Sequence, residues 1–369
     1  MPRPGGVEQF VDVARGLLGR HGWNVRVLAC RPRDGLAEAD VTIPTRFLGA
    51  AGWPLPVGGL RTLWRELGGA DVVIVNGTRN LLPNAATLLA RLRRKPVLFV
   101  LHGSGASFAS SSFVYHRVLG RLFERLVSRP ALRRSQPVSL SQAGVAGARS
   151  RYGVDAAYLP YPLRELLPAA PVELSEDEPL RIVWVGRLYR EKDPLAAVAA
   201  VEQVRRRREA TLTFYGTGFL EDDLRELARD RPWLELGGTR SWEEIQARQA
   251  GAHVCLSTSL RDATQIAILE PLARGIPAVS TRVGDAPGYY RRSLRGLCVE
   301  PATVEATADA ILEVAGAYGA YRERFAANAE ELRRRHREGG ERLSRLVEAA
   351  IAPAGEPAGE PSRAELPVT

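Results

Sequence analysis

Residues 253–285 read HVCLSTSLRDATQIAILEPLARGIPAVSTRVGD. A strand-length apolar run, His253–Ser257, gives way to a polar loop. Apolar residues then recur at helical spacing from Ile266 to Arg274, and Gly275-Ile-Pro277 leads into a second apolar run, Ala278–Ser280. Two short apolar runs separated by one helix and by Gly/Pro punctuation form a βαβ unit, and hence part of a parallel sheet. Asp262 and Glu270 lie eight residues apart and bracket the loop and the start of the helix. Carboxylates so placed could grip the hydroxyls of a polyol. The backbone N–H groups of Gln265, Ile266 and Ala267, at a helix start, suit a phosphate. Glu270 falls among Ile266, Ile268, Leu269 and Leu272, where an unpaired carboxylate would be costly. The plain alternative is a capping Asp and a surface Glu.

The same rhythm extends in both directions. Strands are predicted at Leu180–Val185, Ala210–Tyr215 and Leu234–Leu236, with helices at Pro194–Val204, Glu221–Arg229 and Trp242–Ala250. In the first half, strands are predicted at Val25–Ala29, Asp71–Val75, Val97–Leu101 and Pro137–Leu140. Helices are predicted there at Val7–Arg20, Leu60–Leu67, Leu81–Arg93 and Phe113–Val127. A Pro-rich, acidic stretch, Leu159–Glu178, interrupts the pattern. After Val304 comes a long Ala/Arg/Glu helix, with a break expected near Gly339–Gly340. Residues 352–369 carry Ala-Gly-Glu-Pro twice and no apolar period, the composition of a disordered tail.

The expected architecture is therefore α/β, two doubly wound domains facing a cleft. The division is 1–166, a linker at 167–179, 180–318, a helix at 319–350 packing back on the first domain, and a tail at 351–369. A chain of 369 residues suits about two domains. Net charge is +9, yet only Lys95 and Lys192 among the 51 basic residues are lysines, which points to compositional bias rather than to a polyanion-binding surface. Cys30, Cys255 and Cys298 are sparse and odd in number, as in a reduced compartment. No apolar run approaches the ~18 residues of a membrane span. The expected setting is cytoplasmic, with peripheral contact at the inner face of a membrane left open.

Ligands of open α/β sheets sit at the carboxyl ends of the strands. The strand ending at Gly186 is followed by Arg187, Lys192 and then Pro194, which opens a helix. Two cations before a helix start suit a dianion such as a pyrophosphate. Lys192 is the more telling because arginine is this chain's default cation. Gly216-Thr-Gly218 follows the next strand and is a weak signal by itself. In the first half, His102 lies at a strand end beside Gly103. His21, His116, His253 and His336 show no partner pattern.

Taken in order, Gly186-Arg187…Lys192, Gly216-Thr-Gly218, Asp262-x7-Glu270-Pro-Leu-Ala-Arg-Gly-Ile-Pro277-Ala-Val and Val283-Gly284-Asp285 resemble the retaining GT-B glycosyltransferases of family 4 (group 1). That family's signature is a Glu-x7-Glu block running into Ala-x-Gly-x-Pro-Val-Val. Gly5-Gly6-Val-Glu8 resembles its glycine-rich loop near the donor phosphates, and Leu101-His102-Gly103 its strand-end histidine. Ser139-Leu-Ser141 and Leu159-Pro160 resemble the strand and turn before its linker.

The resemblance implies a hexosyltransferase holding a nucleotide-sugar mostly in the second domain, with the acceptor on the first. Arg187 and Lys192 would neutralise the diphosphate, and Glu270 would bind ribose hydroxyls. Asp262 and His102 would hold the transferred sugar. No cofactor or metal is implied, the nucleotide-sugar being a substrate. The acceptor would be a glycan, a lipid-linked sugar or a small molecule.

The pattern is not complete. Asp262 replaces the first Glu, Ala263-Thr264-Gln265 stands where Gly-aromatic-Gly is common, Gly288 replaces a Glu and Tyr161 an Asn. The family's first strand precedes its Gly-Gly loop, and here only Met1–Pro4 do. The expectation is a start upstream of Met1, or a first sheet lacking its central strand.

The segment 113–134 is basic and amphipathic. Its leucines and valines recur at helical spacing beside Arg117, Arg121, Arg125, Arg129, Arg133 and Arg134, against Glu124 alone. Two readings stand: a solvated arginine face on a core-packing helix, and a face that docks on anionic lipid. Aromatic residues are not interleaved for base stacking, so nucleic acid is not an expected partner. Two other functions fit the architecture, a non-catalytic partner subunit and a nucleotide-sugar epimerase. A dehydrogenase does not, since no Gly-x-Gly-x-x-Gly follows an early strand.

Overall fold

The computed structural model describes residues 6–30, 39–48, 53–55, 59–77, 81–103, 120–169, 172–300 and 302–352. Gly5, residues 113–119 of the basic segment and the tail from 353 lie outside the described residues.

In the second half, β9 (Leu180–Val185), β10 (Ala210–Tyr215), β11 (Leu234–Gly238), β12 (Val254–Ser257), β13 (Ala278–Thr281) and β14 (Cys298–Val299) form one parallel sheet. Its order is β11-β10-β9-β12-β13-β14. The order runs outward in both directions from β9, so the switch point lies between β9 and β12. Earlier in the chain, β1 (Leu28–Cys30) pairs with β2 (Val41–Ile43) in parallel, and β3 (Arg46–Leu48) with β4 (Trp53–Leu55) antiparallel. A third sheet joins β5 (Val73–Asn76), β6 (Val97–Leu101), β7 (Gln136–Ser139) and β8 (Ala157–Tyr158) in parallel. β6 is buried along its whole length. Leu98 and Val100 enter one hydrophobic cluster while Val97, Phe99 and Leu101 enter another. A strand covered on both faces reads as a continuous apolar run, which is why it was legible.

Helices α1 (Gly6–Arg20), α2 (Leu60–Gly68) and α3 (Leu81–Leu92) belong to the first half. There α4 (residues 120–133) contains a π-helical stretch, Glu124–Ser128, and α5 (Gln142–Gly147) starts at a Ser141 cap that accepts from Gly144 N at 3.0 Å. In the second half, α6 (Pro194–Val204) begins at Asp193, which adopts φ 44° and caps Ala196 N. Beyond it lie α7 (Glu221–Arg229), α8 (Trp242–Ala250) and α9 (Ile266–Ala273). A Ser241/Glu244 capping box starts α8.

The long C-terminal helix differs from expectation. It is interrupted at Ala317, between α10 (Val304–Gly316) and α11 (Tyr318–Ile351), and runs unbroken through Gly339–Gly340. Both glycines are buried at a close contact. A Cβ on Gly339 would come within 2.6 Å of Pro160 O, and one on Gly340 within 3.1 Å of Leu17. Their small size lets α11 seat against α1 and the chain after β8, and that packing outweighs their low helix propensity.

One hydrophobic cluster unites the halves. Phe10, Leu18, Leu98 and Leu159 share it with Trp184, Phe214, Leu256, Phe325 and Leu343. The segment from 159 to 179 has no helix or strand among its described residues. It is tied down by Arg164 to Asp12 (2.7 Å) and by Arg274 to Leu167 O (2.8 Å).

Candidate active site

The carboxyl edges of the two large sheets meet. Thr264 Oγ1, in the loop after β12, donates to Leu140 O at the end of β7 (3.2 Å). After β13, Asp285 Oδ1 accepts from Gln142 N at the start of α5 (2.9 Å). A Cβ on Gly6 would lie 3.6 Å from Ile266 Cδ1, so the first residues of α1 and α9 approach each other across this junction. Both ends concentrate positive partial charge where their sheets point.

Loops after β9, β10 and β12 supply the side chains. Gly216 adopts φ 141°, and a Cβ there would sit 1.8 Å from Gly186 O. A Cβ on Gly218 would sit 2.4 Å from Leu188 O. These glycines let two strand-end loops lie backbone against backbone. Arg187 is exposed, and its guanidinium stands 5.0 Å over the Tyr189 ring. Among the described residues it forms no ion pair. Lys192 ends a short 3₁₀ turn and is paired with Asp262, whose other oxygen accepts from Ala263 N (2.9 Å).

Sequence reading missed what holds that turn. Thr258 Oγ1 donates toward the carbonyls of Asp193 (2.6 Å) and Lys192 (3.2 Å) and accepts from Trp184 Nε1 (3.2 Å). A Ser/Thr run at 257–259 was its only trace.

Glu270 is buried and partnered. Trp242 Nε1 donates to one carboxylate oxygen at 3.1 Å and Gln246 Nε2 to the other at 3.2 Å. Both donors come from α8, an arrangement not visible in the sequence. Gln265 spends its amide on Thr281 O (3.0 Å), leaving its buried Oε1 unpartnered. Of the three N–H groups expected to face a phosphate, that of Ile266 is already engaged by Thr264 O at 2.8 Å. That leaves Gln265 and Ala267 for the role.

His102, at the end of β6, donates from Nε2 to Asn76 Oδ1 at 2.8 Å, and Phe10 meets its ring edge-on at 5.1 Å. Burial lowers its pKa to about 4, so the ring is neutral and keeps Nδ1 as an acceptor. Asn76 was not anticipated. Asp285, quoted in the sequence only as part of a motif and given no role there, is also partnered. Tyr158 OH donates to its Oδ2 (3.4 Å), Arg335 donates to Tyr158 OH (3.2 Å) and to Gly288 O (3.1 Å), and burial raises Asp285 to about 6.

The site thus gathers Lys192, Asp262, Gln265, Ile266 and Ala267 from the second half with Gly6 from the first. Glu270 lies one helical turn beyond them. Among the described residues, no group of three or more His, Cys, Asp or Glu is clustered as metal ligands would be.

Comparison with known proteins bears on this arrangement. Residues 179–316 match the family model for glycosyl transferases group 1, and residues 4–159 that for glycosyltransferase family 4. The chain is 30% identical over 162 residues to a GDP-mannose-dependent alpha-(1-6)-phosphatidylinositol monomannoside mannosyltransferase of Mycobacterium tuberculosis, covering 40% of this chain and 42% of that protein. It is 27% identical over 127 residues to the sulfoquinovosyl transferase SQD2 of Arabidopsis thaliana, 34% of this chain and 24% of that protein. The matched stretch thus spans less than half the length of either relative. In overall shape it is similar to Anabaena Alr3699/HepE solved with UDP and glucose (TM-score 0.71, 14% identity, 95% of this chain and 97% of that one). The sucrose-phosphate synthase of Thermosynechococcus elongatus is also similar (TM-score 0.69, 18% identity, 94% and 93%). The fold is GT-B, and with both halves matched the chain belongs to the group 1, family 4 glycosyltransferases.

Proposed function

We propose that the protein transfers a hexosyl group from a nucleotide-sugar to a glycan, lipid-linked or small-molecule acceptor with retention of anomeric configuration. Bacterial surface-glycan, glycolipid or secondary-metabolite assembly would be its context. The observation that carries this reading is the approach of Gly6, at the start of α1, to Ile266, at the start of α9, with Lys192 paired to Asp262 on the loop that leads into α9. Such a junction suits a diphosphate.

The donor diphosphate lies between these termini and is neutralised by Lys192 and Arg187, with no metal required. Glu270, held by Trp242 and Gln246, accepts from ribose hydroxyls. Neutral His102 and Asp262 fix hydroxyls of the transferred sugar. The bond from the anomeric carbon to the phosphate oxygen breaks, and its electron pair leaves with the diphosphate. The acceptor oxygen adds on the same face, and its proton passes to the departing phosphate oxygen. Likeness to a protein solved with UDP and glucose, and to one named for GDP-mannose, supports a nucleotide-sugar and leaves its base open. The enzyme works in the cytoplasm, with peripheral contact at the membrane through α4.

The test is incubation with a panel of UDP-, GDP- and dTDP-sugars in the presence of a chelator, with product anomers read by NMR. An α-linked product from an α-linked donor is expected. Tight nucleotide binding without turnover would replace the reading by that of a binding subunit, and donor conversion without acceptor by that of an epimerase.

A further inference from the structure

Along α4 the structure separates the side chains differently from the core-packing reading of the sequence. The buried positions are Gly120, Ser128, Ala131 and Leu132. Leu122 and Leu126 point outward, with 49% and 63% of their surface exposed. Arg121, Arg125, Arg129 and Arg133 recur every four residues on one row of the helix. Leu122, Leu126, Pro130 and Arg134 form the row beside it. Arg125, Leu126, Arg129, Pro130, Arg133 and Arg134 line an open groove of about 540 Å³.

Five arginines from position 121 to 134 stand against one acidic residue, Glu124. Among the described residues none of these five arginines forms an ion pair with a carboxylate; Arg129 donates to Tyr152 O (3.0 Å) and Arg134 to Pro130 O (3.3 Å). Residues 104–119, just before the helix, contain no Asp or Glu. Like charges four residues apart on a helix repel. Exposed leucines alongside them gain nothing from water. A partner that is anionic at its surface and apolar just beneath answers both features at once.

We propose that this face of α4 docks on an anionic phospholipid bilayer. The guanidiniums engage lipid phosphates in the groove, and Leu122 and Leu126 enter the boundary between headgroups and acyl chains. The proposal deepens the peripheral contact stated above, rests on that contact, and is independent of which sugar is transferred. No described helix is long and apolar enough to cross a membrane, so contact would be by surface adsorption.

Co-sedimentation of the full chain with vesicles of phosphatidylcholine, alone or with about one third phosphatidylglycerol, tests it. Binding is expected only to the anionic vesicles and should weaken as salt rises. Arg125→Ser with Arg133→Ser should lower vesicle affinity about thirtyfold, at about fivefold per arginine. Leu126→Ser should weaken binding while keeping every positive charge, and melting temperature should be unchanged in all variants. Equal binding to both vesicle types, or a Leu126 variant that binds like the parent, would overturn the proposal. So would binding to soluble heparin but not to vesicles, which would assign the face to an acidic macromolecule. Glycosyl transfer, assayed on the same samples with soluble acceptors, reports separately on the proposed function.

Discussion

Lys192 Nζ and Asp262 are paired across the switch point, one on the loop after β9 and the other on the loop after β12. Both side chains are mostly shielded from solvent, at 20% exposure each, so the pair is screened less than a surface ion pair. In the proposed reaction the donor diphosphate would compete with this carboxylate for the lysine.

Removing that competing charge should free the lysine. Asp262→Asn should tighten binding of UDP or GDP, read by calorimetry, while slowing transfer. Lys192→Ala should lower kcat/KM by about 10²–10³-fold with the fold intact by circular dichroism. Unchanged nucleotide affinity in the Asp262 variant would show that the pair does not gate the diphosphate.

Replacing Glu270 should affect both stability and the proposed nucleotide binding. Glu270→Ala would leave Trp242 Nε1 and the Gln246 amide buried without their acceptor, a loss of about 1–3 kcal/mol. Denaturant midpoints should fall accordingly. Nucleotide affinity should fall as well, since the group assigned to the ribose hydroxyls is gone. Glu270→Gln keeps one acceptor oxygen and should recover most of the stability but little of the affinity.

Stability should depend on acid in a set direction. Burial lowers His102 and His336 to about 4, from 6.5, and lowers His253 as well. Between those limits the unfolded chain binds more protons at these sites than the folded one, so stability falls as pH falls. Asp285 acts oppositely: raised from 3.8 to about 6, its share of stability is present at low pH and is lost as pH rises through 6. The histidines outnumber it, and the melting temperature should drop below pH 6. His336→Asn keeps a donor toward Tyr161 O and should flatten this dependence, as thermal melts across pH would show.

Asp285 joins the halves through Gln142 N, Tyr158 and, by way of Tyr158, Arg335. Asp285→Ala should loosen the cleft, raising donor KM more than it lowers kcat and increasing the radius of gyration in solution scattering. Asp285→Asn retains an acceptor oxygen for Gln142 N and should lie nearer the parent. Identical scattering for the alanine variant would count against a clamp.

Much of the second domain was legible. β9 and β10 were read with their observed bounds because β9 is a mostly apolar run, β10 alternates apolar residues with threonines, and a glycine ends each. Pro194 marked the start of α6 by local chemistry alone. The short strands β2, β3, β4, β8 and β14, of two or three residues each, were not read. Too few residues carry any period, and their pairing depends on neighbours.

By itself, the sequence determined the βαβ rhythm, the parallel sheets it requires and the order of motifs that carries the family. All of these are local patterns of apolar period, turn chemistry and spacing. Only the tertiary structure decided that Lys192 meets Asp262, that α8 grips Glu270, that Asp285 bridges to Gln142 and that Gly339–Gly340 sit within an unbroken helix. Those partners lie 70, 24 to 28 and 143 residues apart, and the two glycines answer to Pro160 and Leu17. Contacts at such separations are set by which surfaces the packed sheets bring together, and no local pattern encodes them.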